Sequence, residues 1–231
     1  MTVQRILALD TATEACSVAL AVGDSVLSDS VISPRGHTAR ILPMVREVLA
    51  EAGLTLGDLD GLAWGCGPGS FTGLRIGTSV VQGLALARDL PVVAVSNLEM
   101  LAEGAWREQG AESVLAALDA RMGEVYWSAF RRSGTGLMAP VAEERVCAPD
   151  QVPAMPADTA WWAVGKGWQA YPEVLRAGQP GTLAGLLPEA VPLARDALPR
   201  ARLVLAEGGG LAPEQAQPVY LRNRVAEKPG R

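Results

Sequence analysis

The spacing of apolar residues changes period along the chain. Residues 6–9 form a short unbroken apolar run, the pattern of a central strand. After a turn, Cys16, Val18, Leu20 and Val22 alternate with smaller residues, a period of two that predicts a second strand. Gly23-Asp24 signals a hairpin, and residues 25–32 follow as a third, less apolar strand. The period then becomes helical. Over residues 36–53, Leu42, Val45, Leu49 and Ala52 share one face, and Gly53 is a natural stop. A fourth strand from Gly61 leads into a glycine-rich loop and a helix over roughly 70–88. Residues 92–95 predict a fifth strand, and 97–108 a third helix capped by Ser96 or Asn97.

The order β-β-β-α-β-α-β-α is similar to one lobe of the ATPase fold shared by sugar kinases, actin and heat-shock chaperones. That fold has two such lobes, so a repeat is expected. Val114 to Asp119 echoes Ile6 to Asp10, both ending in Ala-Leu-Asp. Each is followed by a turn and a strand that opens near a glutamate, Glu14 or Glu124. Eight of the sixteen prolines lie between Pro149 and Pro199, which predicts loops and short elements in place of a complete second lobe. The expected division is residues 1–109 as the N-terminal lobe and 110–231 as a smaller, degenerate one. Within the latter, 160–165 reads as a strand, 168–177 as a short helix, and 188–206 as an interrupted helical stretch ended by Gly208-Gly209-Gly210.

Composition narrows the function classes. No charged segment followed by a long apolar run opens the chain, and no uncharged apolar stretch approaches the roughly 20 residues a membrane span needs, so a cytoplasmic protein is expected. The odd number of cysteines, Cys16, Cys66 and Cys147, with no CxxC pair, predicts buried thiols in a reducing compartment. A single histidine, His37, rules out a histidine-rich metal site but leaves a carboxylate-only magnesium site open. With net charge −5 and only two lysines, the one cationic cluster is the tail Arg222, Arg224, Lys228 and Arg231, so a role near nucleic acid needs a partner to supply most phosphate contacts.

The glycine-rich segment Gly65-Cys66-Gly67-Pro68-Gly69-Ser70 has no lysine for a P-loop and no dinucleotide fingerprint. Gly69, Gly73 and Gly77 recur every four residues and leave one helix face nearly bare. Interior glycine costs about 1 kcal/mol relative to alanine, so a close contact should compensate. Two readings fit: contact with the chain's own sheet or first helix, or contact with a partner. The first helix carries a second apolar row, His37, Ile41, Met44 and Val48, which is read either as internal or as interface. His37 reads as a surface or capping residue. Asp10 and Asp119 end equivalent strands, where the parent fold holds magnesium and nucleotide, but Asp10-Thr11-Ala12-Thr13 lacks the glycine that would admit a phosphate, and a turn-capping role fits Asp10 better. Ser70 reads as an N-cap, Cys66 as structural, and Trp161, Trp162 and Trp168 as core.

The segments ALDTAT, RGHTARILPMV, GCGPGSFTGLRIG and PVYLRNRVA, in that order along the chain, resemble the TsaB (YeaZ) family. The resemblance implies a sugar-kinase/actin-type fold of ribonuclease H-like lobes with a reduced second lobe. It implies a non-catalytic subunit in the synthesis of threonylcarbamoyladenosine next to the anticodon of tRNAs reading codons that begin with adenine. TsaD would be the catalytic partner, TsaE would complete a ternary complex, and TsaC would supply the threonylcarbamoyl-adenylate. The chain would pair with TsaD, or with itself in isolation, and meet tRNA mainly through the complex. The implied interface is His37, Ile41, Met44, Val48, Gly69, Phe71, Thr72, Gly73, Arg75, Ile76, Gly77 and Val80, so Gly73→Leu or Met44→Glu should weaken association without unfolding the chain. The catalytic paralogue's HxxxH is absent, because Ile41 follows His37 four residues on. No catalytic, cofactor-binding or metal-binding residue is therefore carried over. The competing reading is an active ATPase or peptidase of the parent fold.

Overall fold

The computed structural model describes residues 4–222. Strands β1 (Arg5–Asp10), β2 (Ala15–Val22) and β3 (Ser25–Ile32) form the expected antiparallel meander. β4 (Gly61–Gly67) pairs parallel to β1, and β5 (Val92–Ser96) parallel to β4, giving the sheet order β3-β2-β1-β4-β5. Helices α1 (His37–Glu51) and α2 (Phe71–Leu86) cover one face of this sheet, where Leu7, Leu9, Val18, Leu20 and Trp64 meet Ile41, Met44, Val45, Val48, Leu49 and Val81.

The second sheet repeats the plan. β6 (Ser113–Arg121) and β7 (Glu124–Arg132) are antiparallel, and the short β8 (Met138–Pro140) and β9 (Arg145–Cys147) both pair with β7. β10 (Trp162–Val164) lies parallel to β6, and β11 (Gly185–Leu187) parallel to β10. The order β11-β10-β6-β7-β8 is that of the first sheet read from its other edge. The two ribonuclease H-like lobes of a sugar-kinase/actin-type fold are therefore both present. In the second, four of the six strands have shrunk to three residues each, and the helices α4 (Lys166–Ala170) and α5 (Pro172–Ala177) are single short turns. The expectation of short elements holds, but the strand complement is complete. Prolines trimmed the elements without removing their places in the sheet.

The lobes interleave in sequence, so residue 109 is not where packing changes hands. Helix α3 (Asn97–Gln109) turns Leu98, Leu101, Ala102 and Ala105 onto Val114, Ala116, Phe130, Met138 and Val164 of the second sheet. Conversely, Ala194, Ala197, Leu198 and Ala201, from a 3-10 turn and helix α6 (Leu198–Ala206), return to cover the far face of the first sheet, lined by Ile6, Ala8, Ala19, Ala21 and Ala63. The small side chains on that face let the returning segment lie close to it. Charged residues at every fourth position of α3 bind both sides. Glu99 pairs with Arg200 (2.8 Å), Glu103 with Arg132 (3.2 Å), and Arg107 with Asp196 (2.7 Å). Burial pushes the carboxyls of Glu99, Glu103 and Asp196 upward, and their hydrogen bonds and arginine partners pull back.

Two sequence expectations for the first lobe change. The buried face of α1 is Ile41, Met44, Val45, Val48 and Leu49, with His37 at its start, while Leu42 is 46% exposed. Positions 41, 44, 45, 48 and 49 follow the 3.6-residue period without a break. The two rows read from the sequence are one stripe, and Leu42 lies about 90° from its centre, on the rim beyond Leu49. His37, Ile41, Met44 and Val48 are thus core residues and not an exposed interface row. The glycine stripe also faces inward. A Cβ on Gly73 would stand 2.1 Å from the Thr11 carbonyl oxygen, one on Gly69 2.6 Å from that of Ala12, and one on Gly77 2.8 Å from Thr11 Oγ1. Thr11 Oγ1 also donates to the Gly73 carbonyl at 2.7 Å. The contact that compensates the two helix-interior glycines, Gly73 and Gly77, is the β1–β2 turn of the same chain, which also packs on Gly69 just ahead of the cap. Gly73→Leu and Met44→Glu would consequently strike the interior.

At the end of β1, Asp10 is wholly buried. Asn97 Nδ2 donates to its Oδ2 at 2.7 Å, the Ala12 N–H to its Oδ1 at 3.3 Å, and Asn97 Oδ1 in turn accepts from the Gly67 N–H at 2.9 Å. Gly65 is required there, because a Cβ would fall 1.9 Å from Asp10 Oδ2. Burial raises the Asp10 carboxyl to about 7, against the pull of those donors.

Two predictions test this packing. Gly73→Ala should destabilise the chain by about 1–3 kcal/mol through overpacking. Gly83→Ala, where an added Cβ meets nothing within 4 Å, should stabilise it by roughly 0.5–1 kcal/mol. Urea unfolding of both variants measures the contrast. Because the folded state holds the Asp10 proton to about pH 7 while an unfolded aspartate releases it near 3.8, the folded chain binds more protons between those values. The stability contributed by Asp10 is full below about pH 4 and lost as pH rises through about 7. In Asp10→Asn that component disappears. The difference in unfolding free energy, wild type minus variant, should fall from pH 4.5 to 7.5 and then level off.

Candidate functional site

The seating of α2 on the β1–β2 turn decides which of its residues face outward. Ser70 caps the helix, its Oγ accepting from the Gly73 N–H at 3.3 Å. Outward of the glycines lie Phe71, Thr72, Arg75, Ser79, Gly83 and Leu86, with Ile76, Val80 and Leu84 half-buried along the edge. Phe71 is 48% and Leu86 62% exposed. The exposed residues of α1 are Thr38, Ala39, Arg40, Leu42, Arg46, Glu47, Ala50 and Glu51. The first lobe therefore presents an α2 outer side of large apolar groups and small residues beside a mostly polar α1 on which Leu42 is the large apolar group.

Five of the proposed interface residues, Phe71, Thr72, Arg75, Ile76 and Val80, lie on this outer side. The others do not: Gly73, Gly77, His37, Ile41, Met44 and Val48 are buried, and Gly69 is packed against Ala12. Leu42, Gly83 and Leu86 belong to the outer face and were missed. Phasing α1 on its unbroken 3.6-residue stripe would have placed Leu42 outside, and Gly83 is set apart by falling out of the four-residue glycine rhythm.

A cleft of about 890 Å³ separates the lobes. Its first-lobe wall is Ala12, Thr13, Glu14, Ser70 and Phe71, and its second-lobe wall includes Asp119, Arg121, Tyr126 and Lys166. Asp119 lines it, but Asp10 does not. The two aspartates end equivalent strands without sharing the cleft, because Asp10 turns inward to Asn97. Most of the cleft's charges are already matched. Lys166 Nζ lies 2.5 Å from Glu14 Oε1, Arg121 Nη1 lies 2.9 Å from Asp119 Oδ2, and Arg222 pairs with Glu124. Of the cationic tail only Arg222 is described. Arg224, Lys228 and Arg231 lie outside the described residues.

The residues with chemical potential are otherwise engaged. His37 is buried at the first position of α1, its Nε2 2.8 Å from the Thr13 carbonyl, so it is neither a surface residue nor a side-chain cap of its helix. The Ser70 hydroxyl serves the helix cap. Burial pushes the Cys16 thiol up to about 11 and that of Cys66 to about 12, the opposite of what a nucleophile needs. Cys147 is only half-buried. Trp161 and Trp168 are core, and Trp162 packs half-buried against the second sheet's core from the inner strand β10. Among the described residues no three histidine, cysteine, aspartate or glutamate side chains gather in a metal-binding group, and no helix is long and apolar enough to cross a membrane.

Residues 25–191 match the family model described as TsaD: tRNA N6-adenosine threonylcarbamoyltransferase. The chain is 48% identical over 230 residues to the Escherichia coli (strain K12) tRNA threonylcarbamoyladenosine biosynthesis protein TsaB, covering 97% of each chain. To the Haemophilus influenzae protein of the same name it is 41% identical over 98% of each. YeaZ from Pseudomonas aeruginosa superposes with a TM-score of 0.88 at 47% identity, over 94% of this chain and all of that one. Sequence relatives spanning nearly the whole chain and a solved structure with the same two lobes converge, and the chain belongs to the TsaB (YeaZ) family.

Proposed function

We propose that this chain is a non-catalytic partner subunit in tRNA threonylcarbamoyladenosine synthesis, acting in the cytoplasm by docking on the threonylcarbamoyl transferase TsaD, with TsaE joining the complex. In isolation it pairs with a second copy through the same face. Transfer RNA is met mainly through the complex, in keeping with the net charge of −5.

The observation that carries this reading is Gly83. Glycine within an exposed helix costs about 1 kcal/mol relative to alanine. The chain itself makes no use of this one, since an added Cβ would meet nothing within 4 Å. Ser79, one turn before it, is also small and exposed, while Ile76, Val80 and Leu86 flank them with apolar area. A flat, small-residue strip with apolar borders suits close approach of another helix. The family membership supports TsaD as the owner of that helix. A silent role is supported by the side chains themselves. The histidine, the loop serine, the buried aspartate and the β4 cysteine are each committed to backbone contacts, hydrogen bonds or packing within the first lobe.

Gly83→Glu raises helix propensity and projects into open space, so the chain should remain folded with an unchanged or higher melting temperature. Its affinity for TsaD should fall at least tenfold, equivalent to about 1.4 kcal/mol, and its homodimer should dissociate in sedimentation velocity. Undiminished binding by this variant would remove the outer α2 face as the docking surface. ATP turnover by the isolated wild-type chain would instead favour an active ATPase.

A further inference from the structure

The segment after α6 crosses from one lobe to the other along the rim of the cleft. Its first-lobe attachments are dense. Gln82 Nε2 donates to the Ala216 carbonyl at 2.7 Å, and the Val219 N–H donates to the Cys66 carbonyl at 2.7 Å. Tyr220 then meets the outer end of α2. Its ring lies 5.5 Å from that of Phe71, its hydroxyl accepts from Arg75 Nε at 3.2 Å, and the Arg75 guanidinium sits 3.9 Å over the Phe71 ring. Two residues later, Arg222 reaches the β6–β7 turn of the second lobe. It pairs with Glu124, donates to the Arg121 carbonyl at 3.3 Å and approaches Met122 Sδ at 3.5 Å. Val219, Tyr220, Leu221 and Arg222 all line the cleft.

From this we infer that residues 216–222 form an interlobe latch, which couples the outer end of α2 to the β6–β7 turn of the second lobe. The latch works because one short stretch is held at both ends by side chains that belong to different lobes. Extended backbone spans about 3.3–3.6 Å per residue, so Tyr220 and Arg222 have little slack between them. A shift of Arg75 and Phe71 therefore displaces the ion pair at Glu124, and loss of that pair frees Tyr220. Across the cleft, Lys166 and Glu14 supply a second tie that does not pass through α2. Phe71 and Arg75 also stand in the proposed docking face. Resting on that reading, a partner that engages them changes how firmly the second lobe is held.

Hydrogen exchange of the isolated full chain tests the latch, so its failure leaves the docking reading untouched. Arg75→Gln touches nothing in the second lobe, yet it should accelerate exchange across residues 121–124 about two- to fivefold. Reciprocally, Glu124→Gln should accelerate exchange of the Val219 amide by a similar factor. Tyr220→Phe, which removes only the hydroxyl that Arg75 reaches, should act in the same direction as Arg75→Gln. Thermal melts report that each variant is folded. If every substitution alters exchange only within its own lobe, residues 216–222 are a passive tail and the latch is overturned.

Discussion

The approach of α2 to the β1–β2 turn governs the arrangement of the first lobe. Gly73 in the helix and Gly69 just before its cap let the Thr11 and Ala12 carbonyls come to distances no side chain would tolerate, and Gly77 makes room for the Thr11 hydroxyl. Thr11 donates back to the helix backbone and locks the register. With that side consumed, the remaining surface of α2 has no choice of orientation. Phe71, Arg75, Ser79 and Gly83 face out because the glycines face in. The same packing places the capped start of α2 beside the cleft, with Ser70 and Phe71 in its wall.

The two lobes are copies in strand order but not in scale. The first has long strands and two full covering helices. The second keeps the order but, beyond β6 and β7, with strands of three residues and single-turn helices. Its integrity is supported by α3, which gives its apolar side to the second sheet and its charges to both lobes. Ion pairs of this kind, buried on the acidic side and half-exposed on the arginine side, favour one geometry more than they add net stability. Two lobes held by α3, by Lys166–Glu14 and by the 216–222 segment form a frame with several independent ties.

Much of this was legible in the sequence where local rules and global packing agree. Period-two alternation located β2, the Ser70 cap and the Ser96-or-Asn97 cap, which is Ser96, located two helix starts, and the Ala-Leu-Asp echo pointed to the repeated sheet. What was misjudged has a common cause. The direction a helix face points depends on what packs on it, and that information is non-local. The glycine stripe gave the correct inference of a close contact, but its owner, the Thr11–Ala12 turn, lies some sixty residues earlier in the chain. Ile41, Met44 and Val48 were seen as an apolar row, yet a phase error of one residue divided a single stripe into two, and His37, expected at the surface or as a cap, begins that buried stripe. Tyr220 and Lys166 had no local signature at all, since their roles arise only when separate lobes meet.

The alanine-lined rear of the first sheet has a consequence for biosynthesis. Ala8, Ala19, Ala21 and Ala63 leave the ribosome well before their cover, Ala194 to Ala201. Throughout translation the meander and its two parallel strands stand with one side sealed by helices and the other bare. The first lobe thus completes its sandwich only after the strands of the second sheet have been made. Prematurely ended chains carry an open apolar sheet that invites aggregation and removal by quality control.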